Sequence, residues 1–212
     1  MAELEGKIVI VTGASGALGA AVVEELSAHG ARAIGIGVRH HGDAERGIAS
    51  VIAEHGRIDA LVNTAGGFAM GEPVASLTDE TWRAMMDANL DLAFRVTRAA
   101  LGEMVAREAG SVVHVGSRAA LEPMARAAAY AVSKAALVAL VRNAADEVRQ
   151  QGVRVNCVLP SVIDTPKNRA DMPAADHSRW VKPVDIARVI RFLVSDDSAI
   201  VSGAAIPVYG RA

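Results

Sequence analysis

Short runs rich in Val and Ile alternate along the chain with longer segments whose apolar positions recur at helical spacing. The runs predict six strands, at Lys7–Val11, Arg32–Ile36, Ala60–Asn63, Ser111–Val115, Arg154–Val158 and Ala205–Val208. Helices are expected between them at Leu18–His29, Ala44–His55, Asp79–Ala106, Ala127–Gln150 and Pro183–Val194. Strand and helix in strict alternation predict an α/β fold: a parallel sheet joined by right-handed crossovers. Gly30, Gly56, Gly110 and Gly152 fall just past four of the helices, where a left-handed residue most often ends a helix. The one long irregular stretch, 161–182, is polar, contains Pro166 and Pro173, and ends near Trp180. A loop of that length is expected to be a lid.

Composition narrows the class. With 212 residues, 51% hydrophobic and 22% charged, the chain can bury a full core, and residues 1–212 are expected to form one domain. A net charge of −2 argues against a nucleic-acid backbone or an anionic membrane surface as partner. No apolar run is long enough to span a bilayer, and acidic residues stand where a secretory leader is basic, so a cytoplasmic location is expected. Cys157 is the only cysteine and the histidines lack zinc-site spacing; no metal is implied.

Two motifs carry chemistry. Thr12-Gly13-Ala14-Ser15-Gly16-Ala17-Leu18-Gly19 follows the first strand and opens the first helix. Glycines there let backbone approach a pyrophosphate, and the helix N-terminus favours its charge; the alternative is a glycine turn that serves only helix packing. No Gly-Lys-Ser/Thr follows, which disfavours ATP chemistry. Tyr130 and Lys134 lie four residues apart, on one helix face. A nearby ammonium lowers a phenol's pKa towards the range of useful proton exchange, so Lys134 is expected to lower that of Tyr130. Ser117, just past the fourth strand, sits at the carboxyl edge where open α/β sheets bind ligands, placed to hold the reacting oxygen.

Taken together these residues resemble the short-chain dehydrogenase/reductase family in its single-domain form, over nearly the whole chain. The resemblance implies a Rossmann-type, doubly wound parallel sheet and a nicotinamide cofactor. It adds Asn63-Thr64-Ala65-Gly66 and Asn89, which with Ser117, Tyr130 and Lys134 completes the family's tetrad, Asn89 holding a water that links the lysine to solvent. It also adds the segment Asn156 to Thr165, where Ser161 replaces a usual glycine. The implied cofactor-binding residues are Gly13, Ser15, Gly16, Leu18, Gly19, Arg39, Asn63, Ala65, Gly66, Tyr130, Lys134, Pro160, Ile163 and Thr165. Family members commonly form homotetramers, so a homo-oligomer, tetramer or dimer, is expected.

One departure stands out: residues 37–59 are too few for the two helices and extra edge strand that relatives fit there, so the sheet should be trimmed on the adenine side. The second strand ends without the carboxylate that binds the ribose of NAD, and Arg39 follows; a modest preference for NADP(H) over NAD(H) is expected. Asp164 to Trp180 resembles the substrate lid of dihydropteridine reductases, with Met172 and Trp180 placed to cover a ring. The expected activity is hydride transfer between the nicotinamide and a small-molecule carbonyl or alcohol, with Tyr130 as acid/base. Reduction of a quinonoid pteridine is the alternative, and an inactive dinucleotide-binding protein is the competing class.

Overall fold

A computed structural model describes residues 3–38 and 42–212. Arg39, with His40 and His41, lies outside the described residues. The six expected strands are present as β1 (Ile8–Thr12), β2 (Arg32–Ile36), β3 (Ala60–Asn63), β4 (Gly110–Val115), β5 (Val153–Pro160) and β6 (Ala205–Val208). All pairings are parallel, in the order β2-β1-β3-β4-β5-β6. The chain leaves β1 towards β2 and returns past it to β3. The order therefore reverses between β1 and β3, and the crevice at such a switch point is where open α/β sheets take ligands.

Because helices cover both faces, nearly all residues of the central strands β1, β3, β4 and β5 are buried, which is why these strands read as continuous apolar runs. Ile10, Leu61, Val112, Val155 and Cys157 face α2 (Asp43–His55), α4 (Leu92–Ala106) and α5 (Ala128–Glu147). Val9, Val11, Val62, Val113 and Val158 face α1 (Ala17–Ala28) and α7 (Pro183–Val194). Among the described residues the β2–β3 connection holds one helix, α2, and β2 is the edge of the sheet, as its length predicts.

Two expectations need correction. The helix expected over Asp79–Ala106 is α3 (Asp79–Met86) and α4 separated by a wide π turn, Asp87–Asp91. Gly110 is not the left-handed end of α4: it opens β4, and Glu108 takes the positive φ, 52°. A Cβ at Gly110 would lie 2.5 Å from Met104 Cγ, so this glycine serves close packing of strand on helix. Gly30, Gly56 and Gly152 do take positive φ.

Candidate active site

The loop after β1 turns sharply at Gly13 (φ 69°), where a side chain is impossible: its Cβ would sit 2.8 Å from both Ala65 N and Thr64 Oγ1. Gly13 thereby lets the loop lie directly on Thr64-Ala65-Gly66, which follows β3. Gly16 caps α1 without a side-chain bond, and no acidic residue occupies the helix's first turn, so the first N–H groups of α1 remain available to an anion. They open on a cleft of about 450 Å³. Gly13, Gly16, Leu18 and Gly19 line one wall, Thr165, Pro166 and Lys167 the other, and Thr64 also contributes. Ser15 is exposed on the loop, whereas Pro160, at the end of β5, is buried. Ile163 pairs with Val181 beside the cleft.

Ser117, Tyr130 and Lys134 meet at the carboxyl edge of β4. The Ser117 hydroxyl accepts from the Ala119 amide at 3.2 Å and lies near enough to the Tyr130 phenol to favour its ionised form. Tyr130 lies in the first turn of α5, and one turn on the buried Lys134 donates from Nζ to the Val115 carbonyl at 2.9 Å. Asn89 sits in the π turn, a distortion that recurs at functional sites because it re-aims a side chain. Its Oδ1 accepts from Gly67 N (3.0 Å), while Nδ2 donates to Gly67 O (3.1 Å) and Ser133 Oγ (3.1 Å). Asn89 thus latches the loop after β3 to α5. Asn89 Oδ1 and Lys134 Nζ both crowd Gly66, 2.8 and 3.4 Å from where a Cβ would be.

The electrostatics differ from the sequence expectation. Burial raises the Tyr130 phenol above its ordinary value, with the Ser117 hydroxyl acting against it, so Lys134 does not bring the phenol down. The Lys134 ammonium is turned onto the Val115 carbonyl, and its own burial lowers it to about 8. His114, inside β4, is lowered to about 3 by burial and by the Lys134 charge. A buried chain of hydrogen bonds runs through it. Thr12 Oγ1 donates to Asn63 Oδ1 (2.5 Å), Asn63 Nδ2 meets His114 Nδ1 (3.2 Å), and His114 Nε2 meets Thr97 Oγ1 (2.9 Å).

A family model described as enoyl-(acyl carrier protein) reductase matches residues 1–210. The 3-oxoacyl-(acyl-carrier-protein) reductase of Escherichia coli (strain K12) is 30% identical over 242 aligned positions that cover 98% of each chain. The chain belongs to the short-chain dehydrogenase/reductase family. Dehydrogenase/reductase SDR family member 4 of Oryctolagus cuniculus is 31% identical over 99% of this chain and 94% of its own. A short-chain type dehydrogenase/reductase from Mycobacterium ulcerans superposes with a TM-score of 0.93 at 28% identity, covering 98% of this chain and 90% of that one. This short-chain dehydrogenase/reductase is an NAD(P)-dependent oxidoreductase. Among the described residues, no helix is long and apolar enough to cross a membrane.

In this short-chain dehydrogenase/reductase the stretch 161–182 contains a short helix, α6 (Pro166–Asp171), fastened at its base. Thr165 caps it by accepting from Asn168 N, Asn168 Nδ2 donates to Ile163 O (2.8 Å), and Arg169 grips Asp164 with two hydrogen bonds. Trp180 is 9% exposed and packs at a tilt against the His177 ring, 4.4 Å between centroids, so it anchors the segment rather than covering a ligand, while Met172 remains 38% exposed. The Ser161 hydroxyl donates to Tyr209 O at 2.6 Å and ties the segment to the residue just past β6. Sequence reasoning missed Lys167 and His114. Nothing in their spacing marks them, because one acquires its neighbours from a different loop and the other from three separate elements.

Proposed function

We propose that the protein transfers hydride between NADP(H) or NAD(H) and a carbonyl or alcohol, with Tyr130 exchanging the proton at the substrate oxygen. The carrying observation is the convergence of the Tyr130 phenol and the Ser117 hydroxyl at the carboxyl edge of β4, with Lys134 buried one turn along α5 and bonded to the Val115 carbonyl. The glycine loop fits a dinucleotide: it excludes any Cβ at Gly13 or Gly19, leaves the α1 N–H groups unspent, and faces a cleft within the size range of small-molecule sites. A bound nicotinamide supplies or accepts the hydride. Held above its ordinary pKa, the Tyr130 phenol is protonated at neutral pH and suited to donate to a carbonyl oxygen, which Ser117 holds by a hydrogen bond. Lys134, lowered to about 8 by burial, holds the Val115 carbonyl one turn along α5 from Tyr130, and Asn89 keeps the Gly67 loop and α5 in register. Our reading retains a modest NADP(H) preference, since β2 runs into Gly37 with no carboxylate.

Tyr130→Phe keeps the ring and removes the proton donor. Turnover should fall by ~10²-fold or more while the variant still binds NADPH in a fluorescence titration. Undiminished turnover with cofactor bound would refute the assignment. Phe68, 61% exposed with its ring 4.9 Å from that of Tyr130 and edge-on to it, gives a planar substrate an aromatic face. That contact supports a quinonoid pteridine as second candidate. A panel of ketones, aldehydes and quinonoid pteridines, read by NADPH oxidation, separates the two readings.

A further inference from the structure

Among the described residues that line the cleft at the glycine loop, Lys167 alone is charged. The loop wall offers backbone N–H groups, which are dipoles, and no cation. A pyrophosphate bridge carries two negative charges, and a wall that meets them with dipoles only leaves much of that charge unbalanced. Lys167 stands on the opposite wall, in α6, where Pro166 beside it lines the same space.

Its ammonium is engaged elsewhere in the described structure. Lys167 Nζ donates to Asp171 Oδ2 at 2.6 Å, one helical turn away, and the two side chains are 81% and 54% exposed. Exposed pairs of this spacing are weak, so releasing one costs little. The neighbouring cation, Arg169, is held differently: its guanidinium makes two bonds to Asp164, at the base of the segment. Of these two, Lys167 is therefore the side chain free to swing, and a lysine is a flexible point charge suited to a phosphate that arrives and leaves.

We propose that Lys167 is a clamp for the dinucleotide's pyrophosphate, held in reserve by Asp171 until cofactor enters the cleft. The inference rests on reading that cleft as the dinucleotide site. It makes Asp171 a competitor of the cofactor, so the two residues act with opposite sign.

The test is the affinity of NADPH and of NADH, by fluorescence titration without substrate, for wild type, Lys167→Gln, Asp171→Asn and the double variant. Lys167→Gln should weaken both dinucleotides about tenfold, the scale of one charge-assisted hydrogen bond. Asp171→Asn should tighten both by up to about threefold. The double variant should match Lys167→Gln, because without the lysine there is nothing for Asp171 to withhold. Lys167→Arg should recover part of the loss. Wild-type affinity in Lys167→Gln, weakening of NADPH alone, or weakening by Asp171→Asn would each overturn the clamp and leave the dinucleotide site standing. If wild type binds neither dinucleotide, the reading of the cleft fails and the clamp with it.

Discussion

His114 lies fully inside the sheet between partners that settle its protonation. Thr97 Oγ1 already donates to Ala93 O at 2.7 Å, so towards His114 Nε2 it can only accept; Nδ1 then accepts from the Asn63 amide. The ring is thereby a neutral Nε2–H tautomer assigned by its hydrogen bonds, and a second proton would break the bond to Asn63. With a folded pKa of about 3 against an ordinary 6.5, the unfolded chain takes up a proton first as pH falls. The neutral imidazole's contribution is thus complete above about 6.5 and drains away towards 3, at up to about 1.4 kcal/mol per pH unit. Urea unfolding of His114→Asn, which can still accept and donate, should show a stability that falls less steeply over that window. Slopes equal to wild type would mean that His114 is not the group taking up the proton. The Tyr130–Lys134 pair and Ser117 were legible because spacing alone sets them on one helix face and one sheet edge. The direction of the Tyr130 shift was not, since burial and the turn of Lys134 onto Val115 exist only in the tertiary structure.

At the scale of elements, the π turn Asp87–Asp91 explains how one residue joins two others distant in sequence. Asn89 makes three hydrogen bonds to Gly67 and Ser133, from a position nearly closed to solvent. Asn89→Ala should lower the unfolding free energy by about 1–3 kcal/mol, the cost of stranding such partners. It should also raise the cofactor KM as the loop after β3 loosens, and denaturation curves and kinetics check the two effects separately. A fully stable variant would show that the latch is ornamental to folding. The strands could be read from the chain because the parallel sheet leaves unbroken Val/Ile runs. The π turn could not, since apolar positions keep helical spacing on either side of it. Gly110 misled for a related reason: glycine is required both where a helix ends and where backbone meets a side chain such as Met104, and sequence does not separate the two.

For the whole molecule, the length between the second and third strands already implied a sheet one strand narrower on the adenine side, and β2 is indeed its edge. What that length could not reveal is how near the edge lies to the chemistry. β2 is hydrogen-bonded to β1 alone, and β1 ends in the glycine loop, so the loop's strand is second from the margin. Native-state amide exchange gives this a measurable form. The β2 amides bonded to β1 should exchange well ahead of those in β3 and β4, through an opening that frees the edge without unfolding the core. A ligand that binds only the closed form slows such exchange by the factor 1 + [L]/Kd, so NADPH at about 100 times its Kd should slow the β2 amides roughly a hundredfold. Unchanged β2 exchange in the presence of NADPH would show that the edge opens independently of the loop. Otherwise the dinucleotide fastens the sheet's margin in place of the strand that is missing, and in a cell the fraction of this enzyme open to proteases would follow the supply of its own cofactor.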